Sequence, residues 1–422
     1  MKLTGSVFGH IKLAIVGGGC GGAAVASKFS RVLGSGQVAV IEPKKEHYYQ
    51  PGFTLVGGGL MKFEEVVKPE KNVLPSGVKW INSTVDEFVP SNNQLKLSNG
   101  ETVDYDFLVL ATGLELRFDL VKGLPSALDT RGVCSIYSPK YATKTFQEIQ
   151  SFKGGKALFT FPNTPIKCAG APQKICYIAE DYWSKHGIKD KAKINYNTSL
   201  PKIFGIDVYA KSLMEIINSR GIQLDTRTNL IAVDPEKRIA TFELLDENGK
   251  TVEKEYDFLH VGPPCSPVES LRKAAAKKDK LVDANGWVDV DPQTLQSKGY
   301  QNVFAIGDCA NTPNAKTAAA ISSQFRALKQ NLSAVMNGKQ LRAEYDGYAS
   351  CPLVVSSNKV ILAEFGPNGP METLPINQAK PMRISFWMKK YFMPLLYWQF
   401  LVKGYWSGPK TIRKILHLGL TK

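Results

Sequence analysis

The chain has no run of about 18 apolar residues, so no transmembrane helix is expected. It has no Cys-x-x-Cys pair, and its seven cysteines (Cys20, Cys134, Cys168, Cys176, Cys265, Cys309 and Cys351) are odd in number. That speaks against a zinc site and against a secreted disulfide framework, and it fits a reducing compartment. Acid is missing from the C-terminal end: Pro381 to Lys422 holds eight Lys or Arg and no Asp or Glu. Glycine is missing where a second dinucleotide site would need it. After the apolar run KALFTF (156–161) comes PNTPIKCAGAPQK, with two prolines and Cys168 ahead of the glycine. A loop that cradles a pyrophosphate needs glycines for its tight turn and close backbone approach. Pro162, Pro165 and Lys167 do not supply that, so this unit reads as having lost a nicotinamide cofactor and gained a thiol.

What is present is ordinary globular material, with 43% hydrophobic and 22% charged residues over 422 positions. That length predicts two to three domains. Residues 11–16 (IKLAIV) read as a buried strand, followed by GGGCGG, an apolar-periodic helix to about Leu33, and the strand QVAVIE. The fingerprint Gly17-x-Gly19-x-x-Gly22, with Glu42 twenty residues further on, marks a dinucleotide-binding βαβ unit. Glu42 is placed to accept hydrogen bonds from an adenosine ribose.

Two later segments choose FAD over NAD here. DYDFLVLATG (104–113) is a strand ending at Thr112-Gly113, and QNVFAIGDC (301–309) is a strand ending in Gly-Asp. In two-dinucleotide flavoproteins the first lies beside the cofactor, and the Asp of the second, here Asp308, binds the ribityl chain. The helix after Lys316 would aim its N-terminus at the flavin pyrimidine, with Lys316 adding positive charge for the reduced ring.

The fold class expected is α/β, with two Rossmann-like dinucleotide-binding domains and a C-terminal amphipathic membrane-binding segment. The domains are read as 1–151 (FAD-binding, first part), 152–262 (second Rossmann-like domain carrying Cys168), 263–345 (return to the FAD domain) and 346–422 (C-terminal region). The first ten residues, MKLTGSVFGH, are basic and lack acids, which leaves room for a trimmed organelle-targeting segment.

The ordinary fate of a cysteine is burial as a small apolar residue, and Cys20, Cys176, Cys265 and Cys309 are read that way; Cys134 stays open. Cys168 is different. It follows Lys167 and opens onto a glycine-containing turn and a helix, so cation and helix N-terminus should both favour its thiolate. Cys351, before Pro352 and 183 residues downstream, is the second candidate loop thiol. Spacing alone does not bring the two together.

The set GGGCGG, IEPKKEHYYQPGFTLVGGG, FTFPNTPIKCAGAPQK, YDGYASCPLV, VILAEF and PLLYWQFLVKGYWSGP resembles the sulfide:quinone oxidoreductase family, above all its eukaryotic, mitochondrial-type members. The likeness runs over nearly the whole chain from Ile11. It implies a monotopic flavoprotein that oxidises hydrogen sulfide and passes two electrons through FAD to ubiquinone. It makes Cys168 and Cys351 the redox pair: Cys168 would form the flavin adduct, and Cys351 would hold a persulfide for an acceptor such as glutathione or sulfite. It carries FAD-binding roles onto Cys20, Gly21, Glu42, Gln50, Val85, Asp308 and Lys316. It also implies the mitochondrial inner membrane, with a bacterial plasma membrane as the alternative. Bacterial members often have a third cysteine in a Ser-Ile-Cys context. Here the stretch is Ser135-Ile136-Tyr137, with Cys134 displaced, which favours two cysteines.

Net charge is +15, and the basic end is dense in Trp, Tyr, Phe and Leu. Aromatics beside Lys and Arg are the signature of a membrane surface rather than of nucleic acid. Phe386, Phe392, Tyr397, Trp398 and Phe400 are the candidates to line a quinone cleft there. Three rivals were weighed. An NADH:quinone oxidoreductase would need the second glycine loop, a flavocytochrome-type sulfide dehydrogenase would not need the tail, and a flavin-bound redox sensor would turn nothing over.

Overall fold

A computed structural model describes residues 8–420, so most of the basic N-terminal stretch singled out above lies outside the described residues. The expected α/β architecture is present. Apolar residues fill the strand His10–Val16 because it is buried on both faces, as in parallel sheets. It pairs in parallel with Val38–Ile41 on one side and with Thr102–Leu110 on the other. Lys79–Ile81 extends the first edge, and Val303–Ala305 also pairs with Thr102–Leu110. An antiparallel hairpin, Val85–Val89 with Gln94–Leu97, completes this seven-stranded sheet.

The second sheet is parallel throughout, in the order Val133–Cys134, Phe258–Val261, Gly155–Phe161, Ala192–Thr198, Gln223–Asp225. An antiparallel three-stranded sheet (Thr228–Asp234, Ile239–Leu244, Thr251–Glu255) stands beside it. A last small sheet begins with Ala349–Ser356 against Lys359–Gly366. Cys351 lies in its first strand, paired with Ala363, and not in the loop expected from Pro352. Ala349–Ser356 is the edge of that sheet, where a proline's missing N–H costs no ladder bond.

Arg383–Leu401 is one run of helical turns, interrupted by wider i→i+5 turns at Met388–Phe392 and Tyr397–Leu401. Pro394, which has no N–H to give the preceding turn, sits between them. This segment has two faces. Ser385, Lys389, Tyr397, Trp398 and Leu401 are buried against the first domain, whereas Trp387, Tyr391, Leu395 and Phe400 stay about half exposed. Among the described residues no helix is long and apolar enough to cross a membrane.

Candidate active site

The helix Cys20–Leu33 starts directly off the strand His10–Val16, and the loop between them is as tight as its glycines allow. A Cβ on Gly17 would lie 2.4 Å from the Ala111 carbonyl oxygen, and one on Gly22 would lie 1.8 Å from that of Gly17. Gly19, the residue before the helix, has nothing within 4 Å of its Cβ position, and no side chain caps the helix. The free N–H groups of the first turn and the open side of Gly19 make a cradle for a phosphate.

One cavity of about 1340 Å³ runs along this cradle. Gly17, Gly19, Cys20, Gly21, Glu42, Gln50, Val85, Thr112, Gly113, Asp308 and Lys316 all line it, together with Cys168. Gly22 lies one residue in, packed on Gly17. The volume exceeds the usual range of about 300–1,000 Å³ for small-ligand pockets, as a dinucleotide plus a second substrate requires. Asp308 Oδ1 is buried without a protein partner, and burial raises the carboxyl's pKa. A buried polar atom of that kind calls for a bound group's hydroxyl. Glu42 accepts from the Gly18 and Lys44 amides at 2.8 and 2.9 Å, keeping lone pairs for a ribose. Burial, then the Asp308 carboxylate, push the Cys20 thiol up to about 12, so that thiol stays neutral.

Cys168 and Lys174 also line this cavity, and Cys351 is buried behind Cys168. Cys168 Sγ and Cys351 Sγ are 3.6 Å apart and both free. Cys168 takes a left-handed φ of 50°, rare for a residue with a Cβ, in a turn held by two backbone bonds. Its amide donates to the Lys316 carbonyl at 2.8 Å, and its own carbonyl accepts from the Ala171 amide at 2.8 Å. The cation beside the thiols is Lys174, from the helix Ala171–Lys185: its Nζ is 3.2 Å from Cys168 Sγ and 3.8 Å from Cys351 Sγ. The Cys351 thiol's hydrogen bond, then the Lys174 ammonium, hold Cys168 well below the ordinary thiol range despite its burial. The same bond and burial push Cys351 well above it. The pair is therefore one thiolate and one thiol.

Three lysines have partners that the sequence does not show. Lys167 is not the thiolate's cation: its Nζ donates to Gln50 Oε1 at 2.6 Å, and burial pushes it down to about 8. Lys316, in the cavity wall, donates to the Asp308 and Ala310 carbonyls at 2.7 and 3.1 Å, and its main chain holds the Cys168 loop. Lys389, read only as tail charge, is buried and donates to the Pro51 carbonyl at 2.9 Å. Burial and repulsion from Lys174 push its ammonium down to about 7.

Cys134 is fully buried in a core strand, and it is the Tyr137 hydroxyl that reaches the Cys168 carbonyl, at 3.4 Å. Cys176, Cys265 and Cys309 are buried as expected. Lys174 stands in the quoted motif GAPQK, but nothing in its spacing tells which way the side chain turns.

The sequence profile of the pyridine nucleotide-disulphide oxidoreductases matches residues 11–147 and 201–323. A mitochondrial sulfide:quinone oxidoreductase of Mus musculus is 44% identical, over 97% of this chain and 90% of its own length. One from Dictyostelium discoideum is 42% identical, over 95% of this chain and 88% of its own. The chain belongs to the sulfide:quinone oxidoreductase family. The solved sulfide:quinone oxidoreductase of Aquifex aeolicus shares the fold, with a TM-score of 0.80 at 22% identity, covering 97% of this chain and 95% of that one.

Membership makes this an FAD-dependent oxidoreductase, and the glycine cradle fits that cofactor. Glu42→Ala is expected to weaken FAD binding about tenfold or more, since a hydrogen bond to a charged group is worth roughly 1.5–3 kcal/mol. Flavin fluorescence during dilution gives the affinity; unchanged flavin content after dialysis would count against Glu42.

Proposed function

We propose that this chain is a sulfide:quinone oxidoreductase in which Cys168 and Cys351 are the sulfur-handling pair. The observation that carries the reading is the 3.6 Å approach of these two thiols beside Lys174, with Cys168 and Lys174 in the wall of the same cavity as the glycine cradle. In the oxidised pair, hydrosulfide attacks the S–S bond, leaving a persulfide on Cys351 and a thiolate on Cys168. Lys174 stabilises that thiolate. An acceptor, glutathione or sulfite, removes the outer sulfur of the persulfide. Closing the S–S bond again releases two electrons. Held by the glycine cradle, Glu42 and Asp308, FAD would supply the two-electron acceptor for that closure and the link to ubiquinone, one electron pair for each sulfide oxidised.

The tail completes the other half. Met388, Phe392, Met393 and Leu396 line the cavity from the C-terminal segment, giving the quinone an apolar wall that opens where Trp387, Tyr391, Leu395 and Phe400 are exposed. Exposed apolar patches of this kind mark interaction surfaces, and the exposed Arg383, Lys403 and Lys414, in a segment without an acid, fit an anionic bilayer. We place the chain as a peripheral protein of the mitochondrial inner membrane, held there by 381–422. The family's mitochondrial members support the organelle.

Deletion of 381–422 is a poor test, because the tail also walls the cofactor cavity and its loss removes more than membrane binding. Replacing Trp387, Tyr391, Leu395 and Phe400 together by Ser is the cleaner experiment. It should cut binding to anionic liposomes more than about a hundredfold while FAD stays bound, since each apolar side chain contributes roughly 1.5–3 kcal/mol when fully buried. High salt should release the parent protein only in part; complete release would mean a purely electrostatic tether. The function itself is tested by adding sulfide anaerobically to purified protein, watching the flavin bleach, then adding a soluble quinone. Bleaching by NADH instead would favour the NADH:quinone reading.

A further inference from the structure

His47 is fully buried between the cofactor loop and the tail, and the sulfur chemistry has no use for it. Its Nδ1 lies 3.1 Å from Glu70 Oε2, and its Nε2 lies 2.7 Å from the Tyr397 hydroxyl. A carboxylate only accepts, so Nδ1–H donates to Glu70 and Nε2 accepts from the Tyr397 hydroxyl, which also lies 3.3 Å from the Tyr48 carbonyl. Both ends of this chain touch the glycine loop. Glu70 Oε1, buried and without a hydrogen-bond partner, packs on Gly18 so closely that a Cβ there would come within 2.5 Å of it. Tyr397 lines the same cavity as Cys20, the first residue of the cofactor helix, and burial, then the nearby Cys20 thiol, push its hydroxyl well above the ordinary range. Glu70, His47 and Tyr397 are each at least nine-tenths buried, and Tyr397 belongs to the C-terminal segment, 350 residues from His47.

We propose that Glu70, His47 and Tyr397 are positioning residues that grip the glycine loop from two sides, so that FAD binding and docking of the C-terminal segment are coupled. A docked tail holds Gly18 and Cys20 where the cradle needs them, and a filled cradle holds the tail down. Such coupling is reciprocal: the factor by which docking tightens FAD equals the factor by which FAD favours docking. The inference rests on FAD as cofactor and not on sulfide turnover, so failure of the sulfur chemistry would leave it standing.

The test uses the holoenzyme and reads flavin and tail together. Tyr397→Phe should raise the FAD dissociation constant about tenfold, the scale of one buried hydrogen bond to a partner left unpaired. It should speed tryptic cleavage of the tail by a similar factor, with excess FAD restoring protection. Glu70→Gln should weaken FAD as well, and the double variant Glu70→Gln with Tyr397→Phe should lose less than the product of the two single losses. If Tyr397→Phe fails to fold, His47→Gln reads the same bond from its other side. Unchanged FAD affinity beside faster tail cleavage would overturn the coupling, as would tail cleavage that ignores FAD or fully multiplicative losses.

Discussion

Cys168→Ser and Cys351→Ser should each abolish sulfide-dependent quinone reduction, by at least about 10³-fold, the scale on which members of one catalytic unit fail. Serine is nearly the size of cysteine but cannot form the S–S bond whose closing releases the electron pair. The two sulfurs, 3.6 Å apart, act as a unit, so the double variant should be no worse than either single one. Both variants should keep FAD, because neither thiol belongs to the glycine cradle. Cys176→Ser and Cys309→Ser serve as comparisons. Both thiols are buried and neither bonds to the pair. A hydroxyl at 309 can keep the thiol's contacts with the Leu110 and Ile306 carbonyls. One at 176 is buried without a partner at a cost of roughly 1–3 kcal/mol, and turnover is kept in both. Steady-state sulfide oxidation with a soluble quinone measures the first effect, and flavin absorbance confirms the cofactor. Near-normal turnover in Cys168→Ser would refute the mechanism.

The parts legible in the sequence are the local ones. Gly17 and Gly22 must be glycine because backbone atoms occupy their Cβ space, Gly19 keeps an open side for the phosphate, and that pattern is written in neighbouring residues. The strand–loop–helix around Cys168 was legible for the same reason, as was the loss of a second cradle. Cys351 was read into a loop because Pro352 suggests one; an edge strand tolerates proline, and edges are decided by the whole sheet. The sequence does not show Lys174 as the partner of the thiols, nor Lys389 as a buried residue. Lys389 reaches the Pro51 carbonyl across 338 residues, and no periodicity records such a contact. In the sequence, all the tail's aromatics read alike, as membrane-side groups around a quinone cleft. Tyr397 and Trp398 are as aromatic as Phe400, yet they face inward, because His47 and Glu70 wait for them on another segment.

Lys174→Met should shift the pH dependence of sulfide oxidation to the alkaline side while leaving flavin content intact. The physical cause is the charge 3.2 Å from Cys168 Sγ. Cys168 is held low first by the Cys351 hydrogen bond and then by Lys174, with burial working in the opposite direction. Removing the ammonium leaves the burial cost unopposed by that charge, so the thiol pKa rises. An opposite charge at this range moves a pKa by roughly 1–3 units. The sign follows: a depressed pKa means the thiolate is present at neutral pH in the parent and is lost only as the pH falls towards that low value. In the variant the thiolate is lost at a higher pH than in the parent and is recovered above it. The acid limb of kcat/KM should therefore move up by about one to two units, a loss of about 10- to 100-fold below the parent's limb that disappears as pH rises. Methionine keeps the volume of the buried side chain, so a packing defect is a poor explanation for a loss that pH restores. Lys174→Arg should keep the acid limb near its parent position. An acid limb that does not move in Lys174→Met would show that Cys168 is activated by something other than this lysine.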